Sequence, residues 1–81
     1  MKVGVYAMRD AVTGFYQTPT FDLNDAAAER NFKFGINNND FYSFSAGDID
    51  LFKIGEFDSI TGKIDAIDPI MVLSGVNAKE K

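Results

Sequence analysis

Basic residues in this chain fall beside aromatic ones, and that pairing is the chemistry its side chains offer most readily. Arg9 lies near Tyr6 and Phe15, Arg30 and Lys33 near Phe32 and Phe34, and Lys53 directly after Phe52. Single-stranded nucleic acid is gripped by cations that track phosphates and by rings that stack on bases, each stacked base contributing about 1–3 kcal/mol. Arg9, Arg30, Lys33 and Lys53 are therefore the candidate phosphate contacts, and Tyr42 and Phe44 the candidate stacking rings. The same cations could equally edge an ordinary solvated surface. Exposed rings among Phe41, Tyr42 and Phe44 would serve a protein contact as well as a base.

Catalysis has little to work with. The chain has no His and no Cys, so the commonest general base and the best nucleophile are both missing. Asp48 and Asp50, with Asp65 and Asp68, could be imagined as a metal site. Each has a plainer role: Asp48 opens a strand, Asp50 faces water and Asp68 precedes a proline bend. Nothing matches a calcium loop or a phosphate-binding glycine loop. The expectation is a protein without catalytic residues, metal or cofactor. Twelve acids against eight bases give a net charge of −4, which argues against binding a polyanion by bulk charge but leaves a local basic groove open.

The elements that must position these residues are set by a repeat. Asp10-Ala11-Val12-Thr13-Gly14 and Asp58-Ser59-Ile60-Thr61-Gly62 both read Asp, small, β-branched, Thr, Gly. An Asp side chain can accept nearby backbone N–H groups, and the Gly can take the positive φ that closes a bulged hairpin. Two hairpins follow, one at each end of the chain. In the first strand Val3, Val5 and Ala7 alternate with Gly4, Tyr6 and Met8, so both faces are apolar and both need cover. One cover is a helix; the other could be a second subunit. Phe15 to Phe21 is the return strand, with Pro19 at an edge or at a break in the ladder.

Asn24 caps the helix, Asp25 and Glu29 suit its positive end, and Ala28, Phe32 and Ile36 form its apolar face. Gly35 and Asn37-Asn38-Asn39 are expected to stop it. Residues 38–47 read as a polar and aromatic connector, Leu51 to Phe57 as the third strand and Lys63 to Ile67 as the fourth. Pro69 interrupts that strand, leaving Ile70, Met71, Val72 and Leu73 as an extra strand or as an arm docking on another subunit. The fold class is α+β, in the order β-β-α-β-β, with one helix on a mainly antiparallel sheet of two hairpins. Residues 1–73 form a single domain and residues 74–81 a polar, flexible tail.

Eighty-one residues bury only about 60–65% of the unfolded surface, and no disulfide can add stability. Self-association is the remaining source, so a homo-oligomer is expected, a dimer above all, with Ile70 to Leu73 as its interface. No signal peptide or membrane span is legible.

Val5 to Asp10 followed by Thr13-Gly14 and Pro19, the helix Asn24 to Ala28 with Arg30 and Phe32, and the block Asp48 to Asp58 with Thr61-Gly62 together resemble one family. It is the small nonstructural protein of gokushovirus-type microviruses, phages with circular single-stranded DNA genomes. The resemblance spans residues 3–64, and it departs at Ser45-Ala46-Gly47, where the family often has a proline. It implies a nonstructural accessory of genome replication that binds single-stranded DNA, in the cytoplasm of the bacterial host and not in the virion. A viral or host replication protein is a further possible partner. The rival expectation is a protein-interaction module acting through the acidic surface and the apolar terminal run. A structural accessory of particle assembly is the third.

Overall fold

In a computed structural model that describes residues 1–80, the two repeated turns close in the same way. Asp10 Oδ1 accepts the Val12 N–H and Asp58 Oδ1 the Ile60 N–H, both at 2.9 Å. The Gly14 and Gly62 N–H groups return to the Asp10 and Asp58 carbonyls at 2.8 Å, with φ of +79° and +74°. Each Thr then accepts the N–H two residues on, Thr13 from Phe15 and Thr61 from Lys63, at 3.3 Å. Local side-chain chemistry thus sets where both hairpins turn.

The strands are β1 (Lys2–Asp10), β2 (Phe15–Tyr16), β3 (Thr20–Asp22), β4 (Ile49–Asp58) and β5 (Ile64–Ser74). They form one antiparallel sheet in the order β2-β1-β4-β5, with β3 pairing on β1. The central pair runs from Lys2 opposite Asp58 to Asp10 opposite Ile49, and its register slips once, between Val5 and Tyr6, leaving Ile54 as a bulge. The order β-β-α-β-β holds, with the return strand split in two. The split falls at Gln17–Pro19, where proline has no N–H to give the ladder.

Pro69 does not end the fourth strand. β5 runs on through it to Ser74: Ala66 is paired with Gly55 and Ile70 with Lys53, and the residues between form a bulge. Ile70, Met71 and Leu73 therefore pair with β4 of their own chain. A bulge on an edge strand needs no donor at that position, which is why proline is tolerated there.

Helix α1 (Asp25–Asn38) covers one face of the sheet. Asn24 caps it by accepting the Ala27 N–H at 2.9 Å. Ala28, Phe32 and Ile36, four apart, form a buried cluster with Tyr6, Ile49 and Leu51. Each fully buried Phe or Ile contributes about 1.5–3 kcal/mol. The helix passes through Gly35 and ends at Asn39, which then caps α2 (Asp40–Phe44) by accepting the Tyr42 N–H. The expected connector is thus partly helical, followed by a 3-10 turn at Ala46–Asp48.

The flexible tail expected from Ser74 onward is also corrected. Gly75–Ala78 forms the short helix α3, and Ala78 is buried in the core cluster. Asn37 Nδ2 donates to the Ala78 carbonyl, Asn37 Oδ1 accepts the Glu80 N–H, and Lys79 Nζ donates to the Ser43 carbonyl. A β-carbon on Gly75 would collide with the Ala46 and Ile49 carbonyls, so only glycine permits this approach. Lys81 lies outside the described residues.

Tyr6 ties the layers together. Its ring lies over Gly4, where any β-carbon would strike it, and its hydroxyl donates to Asp25 Oδ1 at 2.6 Å. Burial first, then that hydrogen bond and the charge of Asp25, push the phenol far above its ordinary pKa. Tyr6→Phe is expected to cost about 1.5–3 kcal/mol in urea unfolding, as loss of a hydrogen bond to a charged acceptor. Its contribution in the wild type should be complete below about pH 10, the ordinary tyrosine value, and fade as pH rises beyond it, so the Tyr6→Phe difference narrows in alkali.

Asp58 predicts behaviour in acid. The Ile60 N–H above all, then the Thr61 N–H, the terminal ammonium at 3.9 Å and Lys2, hold its carboxyl below the usual range. A lowered pKa adds stability above about pH 4 that is lost as pH falls through the native value. Thermal unfolding of Asp58→Asn against wild type should therefore differ at neutral pH and converge in acid.

Candidate functional site: a helical groove and an open sheet face

Of the proposed contacts, Arg30 and Lys33 come together. With Phe34 and Asn37 they follow the i, i+3, i+4, i+7 spacing of one helix face, and they line a shallow groove on the outer side of α1. Phe34 is 69% exposed there. Ala26, Asn38, Glu29 and Glu80 complete the lining, so two cations sit between two carboxylates. Asn37 and Asn38 donate from their amide nitrogens to the Lys33 and Phe34 carbonyls at 2.8 Å.

The other candidates lie elsewhere. Arg9 is on the opposite face of the sheet, its guanidinium carbon 6.0 Å from the centre of the Tyr16 ring. Lys53 shares a depression with Lys2, Tyr6, Asp25 and Glu56, beside the start of α1. Tyr42 packs partly buried against the core and donates its hydroxyl to Gln17 at 3.1 Å, so it is not a free stacking ring. Phe44, at 89% exposed, is free to make contacts. The cations are thus divided among three surfaces rather than gathered on one.

Among the carboxylates weighed as a metal site, Asp50 Oδ1 accepts the Gly75 N–H and Asp65 stands opposite Glu56 in the ladder. Among the described residues no three acidic side chains meet as a metal cage, and no helix is long and apolar enough to cross a membrane.

The feature that side-chain spacing alone missed is the sheet face turned away from α1. Tyr6 and Met8 point to the helix layer, so Val3, Val5, Ala7 and Arg9 point the other way. Register adds Asp50, Phe52, Gly55 and Phe57 from β4, Tyr16 and Phe21 from the opposite edge, and Ile64 and Met71 from β5. Two edge-on ring pairs dominate it, Tyr16 with Phe52 and Phe21 with Phe57, both with centroids 5.7 Å apart. They bury Val5 and Ala7 yet leave Phe21 51% and Tyr16 43% exposed. The doubly apolar first strand was the one signal of this face in the sequence. Which rings join it depends on strand register.

The fold and these surfaces define a small two-layer α+β protein with one helix-covered sheet face and one bare, aromatic one. The chain belongs to the phage ORF5 protein family, whose model matches residues 3–78. It is thus a phage protein, and the match takes in both surfaces. Comparison with curated proteins and with solved structures gives no match.

If the ring pairs carry the two-sided burial of β1, removing one ring should be felt in the fold. Phe57→Ala is expected to lower stability by about 2 kcal/mol or more in urea unfolding, whereas Phe44→Ala should change it by less than about 0.5 kcal/mol.

Proposed function

We propose that this phage protein is a non-catalytic accessory of single-stranded DNA genome replication that holds the strand, without sequence preference, at the outer groove of α1. The observation that carries this reading is the meeting of Arg30, Lys33 and exposed Phe34 on one helix face. Two cations reach phosphates and one ring offers a base a stacking surface, the minimal equipment for a sequence-tolerant grip. The likeness to the gokushovirus nonstructural protein supplies the choice of ligand, and with it the host cytoplasm as the place of action. Glu29 and Glu80 at the rim keep the grip weak and readily reversed.

The experiment is a titration of a labelled oligothymidine across salt. Two phosphate contacts on a single strand predict a slope of about −1.4 in log K against log salt. Arg30→Ala with Lys33→Ala should flatten that slope, and Phe34→Ala should weaken binding by about 1–3 kcal/mol while leaving the slope in place. No detectable binding at about 50 mM salt, where counterion release favours association most, would end this reading.

A second reading, a module for contact with viral or host replication proteins, is favoured by a different observation. The bare sheet face is aromatic and apolar, and its charged register positions are Arg9 and Asp50, one of each sign. Such a surface suits a protein better than a polyanion.

A further inference from the structure

We propose that the bare sheet face is an interface between two copies of this chain, stacked face to face about a two-fold axis that runs along the strands between β1 and β4. The argument starts from register. On this face Val3 stands beside Phe57, Val5 beside Gly55, Ala7 beside Phe52 and Arg9 beside Asp50. Every pair sets a small residue against a ring or against glycine, except the last, which sets a cation against an anion.

A two-fold axis between the central strands lays β1 of one copy over β4 of the other. Val3 then faces the partner's Phe57, Ala7 faces the partner's Phe52, and Arg9 faces the partner's Asp50. The outer surfaces of the rings meet across the contact over small residues, and the two symmetry-related Arg9–Asp50 contacts lie side by side at the Arg9 end of β1. Met71 on β5 comes over the β2–β3 edge, against the partner's Tyr16. A surface complementary to itself in this way is what an isologous contact requires.

Size agrees. The molecule measures 41 × 23 × 16 Å, so its broadest side is bounded by on the order of 900 Å², a ceiling just above the about 800 Å² per partner of a standard stable interface. Sheets stacked with strands nearly aligned pack about 10 Å apart, and each copy here is a single sheet with one side free. The alternatives are less favourable. The helix-covered face is already filled, and both sheet edges carry a proline, Pro19 between β2 and β3 and Pro69 within β5, which blunts edge-to-edge pairing. A polyanion would meet Arg9 and Asp50 together, with no surplus of positive charge. Of the run Ile70 to Leu73 expected to form an oligomer contact, Met71 alone shares the Phe52 side of the sheet; Ile70 and Leu73 pair with residues of the other face.

This inference stands apart from DNA binding, because the α1 groove lies on the outer layer and stays open in the dimer. The test therefore uses the full chain without DNA. Sedimentation velocity across micromolar concentrations should show a shift from the 8.9 kDa chain to twice that mass. Arg9→Asp and Asp50→Lys, each alone, place like charges together and should weaken self-association at least about tenfold. Their equimolar mixture restores opposite charges at both contacts and should recover dimers that neither forms alone.

Because Asp50 also accepts the Gly75 N–H, a second measurement on the wild type guards against misfolding of that variant. At concentrations where the mass is that of the dimer, peroxide should oxidise Met1 far faster than Met71, although both are more than half exposed in the single chain. Three results would each overturn the proposal. They are a mass that stays at one chain throughout, folded single variants that associate as tightly as wild type, and Met71 oxidised as fast as Met1 in the dimer.

Discussion

The antiparallel pairing of β1 with β4 is the constraint on which everything else in this molecule rests. β1 is apolar on both sides, and pairing it at the centre of the sheet commits the protein to covering two faces. One helix layer is available, and α1 covers one face with Ala28, Phe32 and Ile36 against Tyr6, Ile49 and Leu51. On the other face the chain can use only the rings of its own strands. Val5 and Ala7 are buried there by Phe21, Phe57, Tyr16 and Phe52, whose own outer surfaces then remain in contact with solvent. The bare aromatic face follows from the number of layers.

Tyr6 shows how closely the covered side is fitted. Its ring needs Gly4 beneath it, and its hydroxyl reaches the first residue of α1. The same bond that orients the helix start keeps an aspartate near the N-terminal end of the helix, where negative charge is favourable. Farther along, Asn39 serves two helices at once, and Asn37 joins α1 to the last turn of the chain. Polar side chains thus connect the layers at both ends of α1, while the apolar stripe fills the middle.

The distribution of charge follows from the same geometry. Cations that lie close to rings in sequence are separated by the strand and helix directions that carry them. Arg9 sits on the bare face because odd-numbered positions of β1 point that way, whereas Lys53, next after Phe52 and opposite Tyr6, points to the helix side by plain alternation. Only α1 keeps neighbours together, since residues three and four apart share one helix face. Arg30, Lys33 and Phe34 therefore form a unit, and the aromatic face acquires a balanced pair of charges instead of a basic one.

Local chemistry was legible in the amino acids themselves. The two Asp-to-Gly turns, the Asn24 cap, the four-residue spacing of Ala28, Phe32 and Ile36, and the doubly apolar β1 each depend on residues a few positions apart, whose geometry the backbone fixes directly. What only the tertiary structure decided depends on residues far apart in the chain. Pro69 is carried through as a bulge because β4 supplies a partner on both sides of it, and residues 75–78 fold because Ala46, Ile49 and Asn37 receive them. Which rings and cations share a surface is likewise a question of register, and the one bulged residue, Ile54, is what brings Phe57 to the same face as Phe52.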